Sequence, residues 1–67
     1  MNGKIIHEYR RDKRHANVLI STEGLYVELY ENNQIVRVQE AYEHSESWAE
    51  DIAENWVDGL LNGDANE

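Results

Sequence analysis

The spacing of apolar residues changes period once along this chain, and that change restricts the architecture more than any other feature. Up to position 41 apolar and polar residues alternate, and beyond position 44 apolar residues return every three or four positions. A period of two places successive side chains on opposite faces of a strand, whereas a period near 3.6 gathers them on one face of a helix. The pattern predicts an α+β fold, an antiparallel β-meander of three to four strands packed on one C-terminal α-helix. With 67 residues there is room for a single core, and a domain of this size buries only ~60% of its unfolded surface. Residues 1–62 are expected to form that domain, with 63–67 a flexible acidic tail of small and polar residues.

The expected strands are 4–11, 16–22, 25–31 and 34–41. Asn32-Asn33 suits a two-residue hairpin loop because Asn tolerates positive φ. That loop sets Leu29 opposite Val36 and Val27 opposite Val38 on one face, with Glu28 opposite Arg37 on the other. Glu23-Gly24 predicts a second hairpin that pairs Ile20 with Val27 and Val18 with Leu29. A longer turn with Gly24 in the left-handed region fits equally well. The first hairpin turns through Asp12 to His15, pairs Arg11 with Ala16, and sets Tyr9 beside Val18 and His7 beside Ile20.

In the helix, Trp48, Ile52, Trp56 and Leu60 make one i, i+4 row, and Ala49, Ala53, Val57 and Leu61 the row beside it. Together they form the apolar stripe of a core-facing helix. Ser47 with Glu50 fits a capping box, Ser45 is a competing N-cap, and Asn62-Gly63 supplies a stop. The stripe is expected to pack on Val18, Ile20, Val27, Leu29, Val36 and Val38.

One helix covers one face of a sheet. Alternation leaves Ile6, Leu19, Tyr26, Tyr30 and Ile35 on the other face, beside Glu8, Arg10, Asn17, Glu28 and Arg37. An uncovered antiparallel face is ordinarily polar, so these five residues are candidate partner-binding groups. Association as a homodimer through sheet faces or edges is one expectation, and docking on another protein is the other.

The formal net charge is −8, and it is unevenly spread. Residues 1–17 carry five cations against two acids, +3, while residues 40–67 carry nine acids and no Lys or Arg, −9. Glu50, Glu54 and Asp58 recur at i, i+4, a spacing at which like charges repel on a helix. With Asp51 they form an acidic ridge that is either a solvated face or a second partner-binding surface. Arg10, Arg11, Lys13, Arg14 and Arg37 are the residues an alternative nucleic-acid-binding role would use. Phosphate neutralisation needs several cations on one surface, and only Arg10 and Arg37 fall on the open face. Protein binding is therefore the leading reading and nucleic acid the weaker one.

The chemistry of an enzyme is not written in the chain. It has no Cys, no G-x-S-x-G and no glycine-rich phosphate loop. Ser21, Ser45 and Ser47 read as turn or cap residues. His44 with Glu43 and Glu46 lacks any metal-ligand spacing signature, and His44 reads as a residue leading into the helix. The expectation is a non-enzymatic module without metal or cofactor. No apolar run approaches the length of a membrane span or signal core, so a cytoplasmic location is expected.

His44-Ser45 followed by AEDIAENW (residues 49–56) and Val57-Asp58-Gly59 resembles small uncharacterised proteins of tailed phages, particularly those infecting cyanobacteria. The upstream GLYVELYENNQIV (residues 24–36) is similar to the strand-turn-strand preceding that helix in them. The resemblance covers about half the chain. It implies no catalytic residue and only a context, that of a small accessory protein binding host or viral proteins in the host cytoplasm.

Overall fold

Alternation and helical spacing each produce the element they specify. The computed structural model describes residues 3–59 and contains β1 (Lys4–Arg11), β2 (Arg14–Ser21), β3 (Gly24–Glu31), β4 (Gln34–Ala41) and α1 (Glu46–Val57). The strands form one antiparallel sheet in the order β1-β2-β3-β4, with α1 packed on one face. Leu60, Leu61 and the expected Asn62-Gly63 stop and 63–67 tail lie outside the described residues.

All three hairpin loops contain two residues; the first is tighter than expected, and the second has the expected length but sits one residue earlier. Asp12-Lys13 closes the first, with Asp12 at φ 54°, a conformation that a short polar side chain tolerates. Tyr9 therefore faces Ala16 and His7 faces Val18. Thr22-Glu23 closes the second, so that Val18 faces Val27 and Ala16 faces Leu29. Gly24 follows it at φ 132°, where an added Cβ would lie 3.1 Å from the Tyr42 Cα; both the angle and the space require glycine. Each register differs by two residues from the expected one, and a two-residue slide keeps every side chain on its face.

The third hairpin departs in a way that does exchange faces. Asn32 and Asn33 have φ 55° and 68°, as a type I′ loop requires, and Tyr30 pairs with Ile35. The ladder then slips by one, and Leu29 pairs with Arg37, Glu28 with Val38 and Val27 with Gln39. Val36 is the extra residue of this β-bulge. The expected Leu29–Val36, Val27–Val38 and Glu28–Arg37 pairs do not form. Val36 and Val38 do not join the core and are each 52% exposed, while Arg37 moves to the helix-side register, opposite Leu29. A second bulge between Ile5 and His7 brings Ile5 opposite Leu19 on the open face. Ile6, expected on that face, packs instead against the core cluster.

The core consists of Ala16, Val18, Val27, Leu29 and Ala41 of the sheet against Ala49, Ala53, Trp56 and Val57 of the helix. Ile6, Tyr9, Leu25, Trp48 and Ile52 pack around it, whereas Ile20, expected within it, is 43% exposed. Each fully buried Val or Leu contributes roughly 1.5–3 kcal/mol. The small alanines let α1 approach the sheet closely, and Trp56 locks it there. Its indole Nε1–H donates to the Tyr30 carbonyl at 2.8 Å, beside the β4 bulge. The Arg14 guanidinium covers the indole ring at 4.0 Å and donates to the Trp56 carbonyl at 3.0 Å. Ser45 rather than Ser47 caps α1, since its backbone is extended and its Oγ accepts from the Trp48 N–H. The helix ends at Val57, with Asp58 as C-cap and Gly59 at φ 91°, earlier than the expected stop.

Candidate functional site: the open face and β4

Helix α1 lies over β2, β3 and β1 and scarcely reaches β4. Only Ala41, the last residue of β4, joins the core. The strand is therefore uncovered along most of both faces, and among the described residues its outer edge has no partner strand. Ile35 is 48% exposed, so Ile35, Val36 and Val38 present a nearly continuous apolar strip. β1, the other edge, is blunted differently, with Lys4, Glu8, Arg10 and Arg11 spaced along it and a bulge near its start.

Side chains on the open face stand in three rows across the sheet: Ile5, Leu19, Tyr26 and Glu40; Glu8, Asn17, Glu28 and Val38; Arg10, His15, Tyr30 and Ile35. Leu19 is on this face as expected, yet it is buried, between its cross-strand neighbours Ile5 and Tyr26. Tyr26 reaches across to Gly3, whose missing Cβ leaves room for the phenol ring. The exposed apolar groups of the face are thus Ile5 at one margin and Ile35 and Val38 at the other.

Between the margins runs a polar network. His15 Nε2 lies 2.9 Å from Asn17 Oδ1 and 3.3 Å from Glu8 Oε2. Both neighbours are acceptors, so Nε2 carries the proton. Asn17 is buried, and its Nδ2 donates to Glu28 Oε1 at 3.5 Å; the Tyr30 hydroxyl donates to the same oxygen at 3.1 Å. The His15 ring stacks on Tyr30 at 4.9 Å. Burial, and then the bond to Glu28, raise the Tyr30 phenol pKa above its ordinary 10.0. Among the described residues no buried side-chain polar atom lacks a partner, so the network is internally satisfied and fixes Tyr30 beside the β4 strip.

The acidic ridge does not stay together as one free surface. Glu50 is half-buried and contacts His7 at 2.8 Å, Asp58 pairs with Arg11 at 3.5 Å, and Glu54 is exposed. The cations named for nucleic acid are likewise dispersed. Arg14 is engaged with Trp56, Arg11 with Asp58, and Arg10 lies 3.9 Å from Glu8. Arg11, Lys13 and Arg14 share the rim of a cavity with Asp12, Glu31 and Asp58, which cancels their charge locally. Arg37 stands apart, on β4.

The sequence reading missed the exposure of Val36 and Val38. The available signal is the doubled apolar step Ile35-Val36, which a strictly alternating strand does not contain. It likewise missed the convergence of His7 with Glu46 and Glu50, residues 39 and 43 positions apart in the chain. His44, the residue weighed as a ligand, stacks on Trp48 with ring centroids 3.6 Å apart. Among the described residues no helix is long and apolar enough to cross a membrane. Comparison with family models, curated proteins and solved structures finds no match to this chain.

Proposed function

We propose that this chain is a non-enzymatic protein-binding module that docks through β4 and the adjoining margin of the open face, and that the partner it accepts there is a second copy of itself. The observation carrying this reading is the state of β4, a strand whose outer edge is unpaired among the described residues, which α1 scarcely covers, and whose Ile35, Val36 and Val38 are all about half exposed. Free N–H and C=O groups along such an edge offer hydrogen bonds to an incoming strand. Apolar side chains beside them supply the area that a stable contact needs, at least about 1,000 Å² in all. Charge supports a second copy at this place. The whole chain is −8, but Arg37 and Glu40 leave β4 itself neutral, so two copies meet where their mutual repulsion is least. The resemblance to small uncharacterised phage proteins implies the context of an accessory protein in a host cytoplasm, which is compatible with the same reading.

The test is the molar mass in solution, by sedimentation equilibrium across the micromolar range. Wild type is expected to dimerise. Association should strengthen as salt is added, because salt screens the repulsion between two acidic bodies while leaving the apolar contact intact. Val38→Lys places a charge in the strip and is expected to give a monomer with an unchanged circular dichroism spectrum. A monomeric mass at every concentration and salt level overturns the proposal, as does a dimer that Val38→Lys leaves intact. Nucleic-acid binding predicts the opposite salt dependence, a DNA affinity that falls steeply as salt rises.

A further inference from the structure

On the covered face of the sheet, away from the β4 strip, three groups able to ligate a metal converge. His7 projects from β1, opposite Val18, and Glu46 and Glu50 project from the first two turns of α1. His7 Nε2 lies 2.5 Å from Glu46 Oε2 and 2.8 Å from Glu50 Oε2. One ligand atom from each residue lies within 4.8 Å of the other two.

The arrangement is short of positive charge. An imidazole nitrogen bears one proton at most, so a single N–H faces two carboxylates. Those carboxylates repel each other, and among the described residues neither pairs with a Lys or Arg. A divalent cation in place of the shared proton would satisfy the nitrogen lone pair and both carboxylates together. We propose that His7, Glu46 and Glu50 form a three-ligand site for a divalent transition ion of the zinc class, with the remaining coordination positions filled by water.

The dimensions suit such an ion. Zinc binds nitrogen and carboxylate oxygen at about 2.0–2.2 Å, which sets tetrahedral ligands about 3.4 Å apart. The two measured spacings, 2.5 Å and 2.8 Å, lie below that value, and small side-chain rotations open them to it. Glu46 and Glu50 are four apart and so share one face of a helix whose first turn is capped by Ser45. His7 is fixed by the sheet. One imidazole with two carboxylates favours zinc-like ions over calcium or magnesium, which prefer all-oxygen sites. The side chains are 36%, 53% and 33% exposed, so an ion and its waters have access. This inference is independent of the β4 docking proposal, since none of the three residues lies on that surface.

The experiment is calorimetric titration of the full chain with Zn²⁺, paralleled by the visible absorption of added Co²⁺. Wild type is expected to bind one equivalent, with a Co²⁺ spectrum typical of four or five ligands. His7→Ala and Glu50→Gln are each expected to weaken binding at least ~100-fold. His15→Ala, on the opposite face, should bind as wild type does. Circular dichroism establishes that each variant is folded, and Glu50→Gln, which preserves shape, carries the test if His7→Ala is not. The proposal is overturned if saturable binding is absent, or if Glu50→Gln or folded His7→Ala binds as tightly as wild type. Absence of binding would mean that a protonated His7 clasping two carboxylates is the whole of the interaction.

Discussion

Replacing Trp56 by Phe keeps an aromatic ring in the core while deleting the N–H that donates to the Tyr30 carbonyl at 2.8 Å. Trp56 is only 7% exposed, so water has poor access to the orphaned carbonyl, a loss of roughly 1–3 kcal/mol. The smaller ring leaves a void costing about 1 kcal/mol. It also weakens the stacking of Arg14, now at 4.0 Å from the indole centroid, by ~0.5 kcal/mol. The total is about 2.5–4.5 kcal/mol. A domain of this size has a stability of roughly 3–10 kcal/mol, so the variant forfeits a large share of it, and its Tm falls by about 10–35 °C. Urea and thermal unfolding, followed by far-UV circular dichroism and by fluorescence of the remaining Trp48, measure the change. Trp48→Phe is the control. Trp48 is half-buried and stacked on His44, and its loss is expected to cost no more than ~1 kcal/mol. Should Trp56→Phe unfold within ~0.5 kcal/mol of wild type, the indole does not couple the helix to the sheet in the way described.

Two further outcomes concern the opposite, N-terminal end of the helix. Ser45→Ala should destabilise by ~1 kcal/mol because Ser45 Oγ accepts the Trp48 N–H, whereas Ser47→Ala, inside the first turn, should change stability by less than ~0.5 kcal/mol; paired denaturant midpoints check both. In chelator-treated buffer, the hydrogen bond to Glu46 raises the His7 pKa above 6.5 in the folded chain, and the same bond lowers that of Glu46 below 4.5. The His7 contribution is complete below 6.5 and lost as pH rises through the raised folded value. That of Glu46 is complete above 4.5 and lost as pH falls through the lowered one. The Tm difference between wild type and His7→Ala should therefore peak between these two pH values and shrink on either side.

Much of this fold was legible because local chemistry and tertiary structure agree. Asn32-Asn33 announces a loop needing two positive φ angles, and the Trp48/Ala49 rows announce a buried helix face. The β4 bulge was hidden because alternation alone makes Val36 and Val38 look like core. Adjacent apolar residues do mark both bulges, at Ile5-Ile6 and Ile35-Val36. Val18-Leu19-Ile20 shows the same adjacency without a bulge, so the signal is not unique. What distinguishes β4 is where α1 sits, and no residue within the strand encodes that. Ser45 against Ser47 was undecidable for a related reason, since both have a helix after them and only the extended backbone at Ser45 selects it. The His7 cluster joins a strand near the start of the chain to the helix near its end, a proximity created by topology and not by spacing.

The order of the elements has a consequence for biosynthesis. Every strand pairs with the one made just before it, so the sheet can assemble hairpin by hairpin as the chain emerges from the ribosome. Its covering helix, however, is the last described element to be made, and Trp56 must travel back to meet Arg14, 42 residues earlier. A sheet that closes before α1 docks leaves Val18, Val27 and Leu29 bare until the helix arrives. Released chains truncated before Trp56 should therefore recruit chaperones or clump, a hazard that the finished protein no longer presents at that surface.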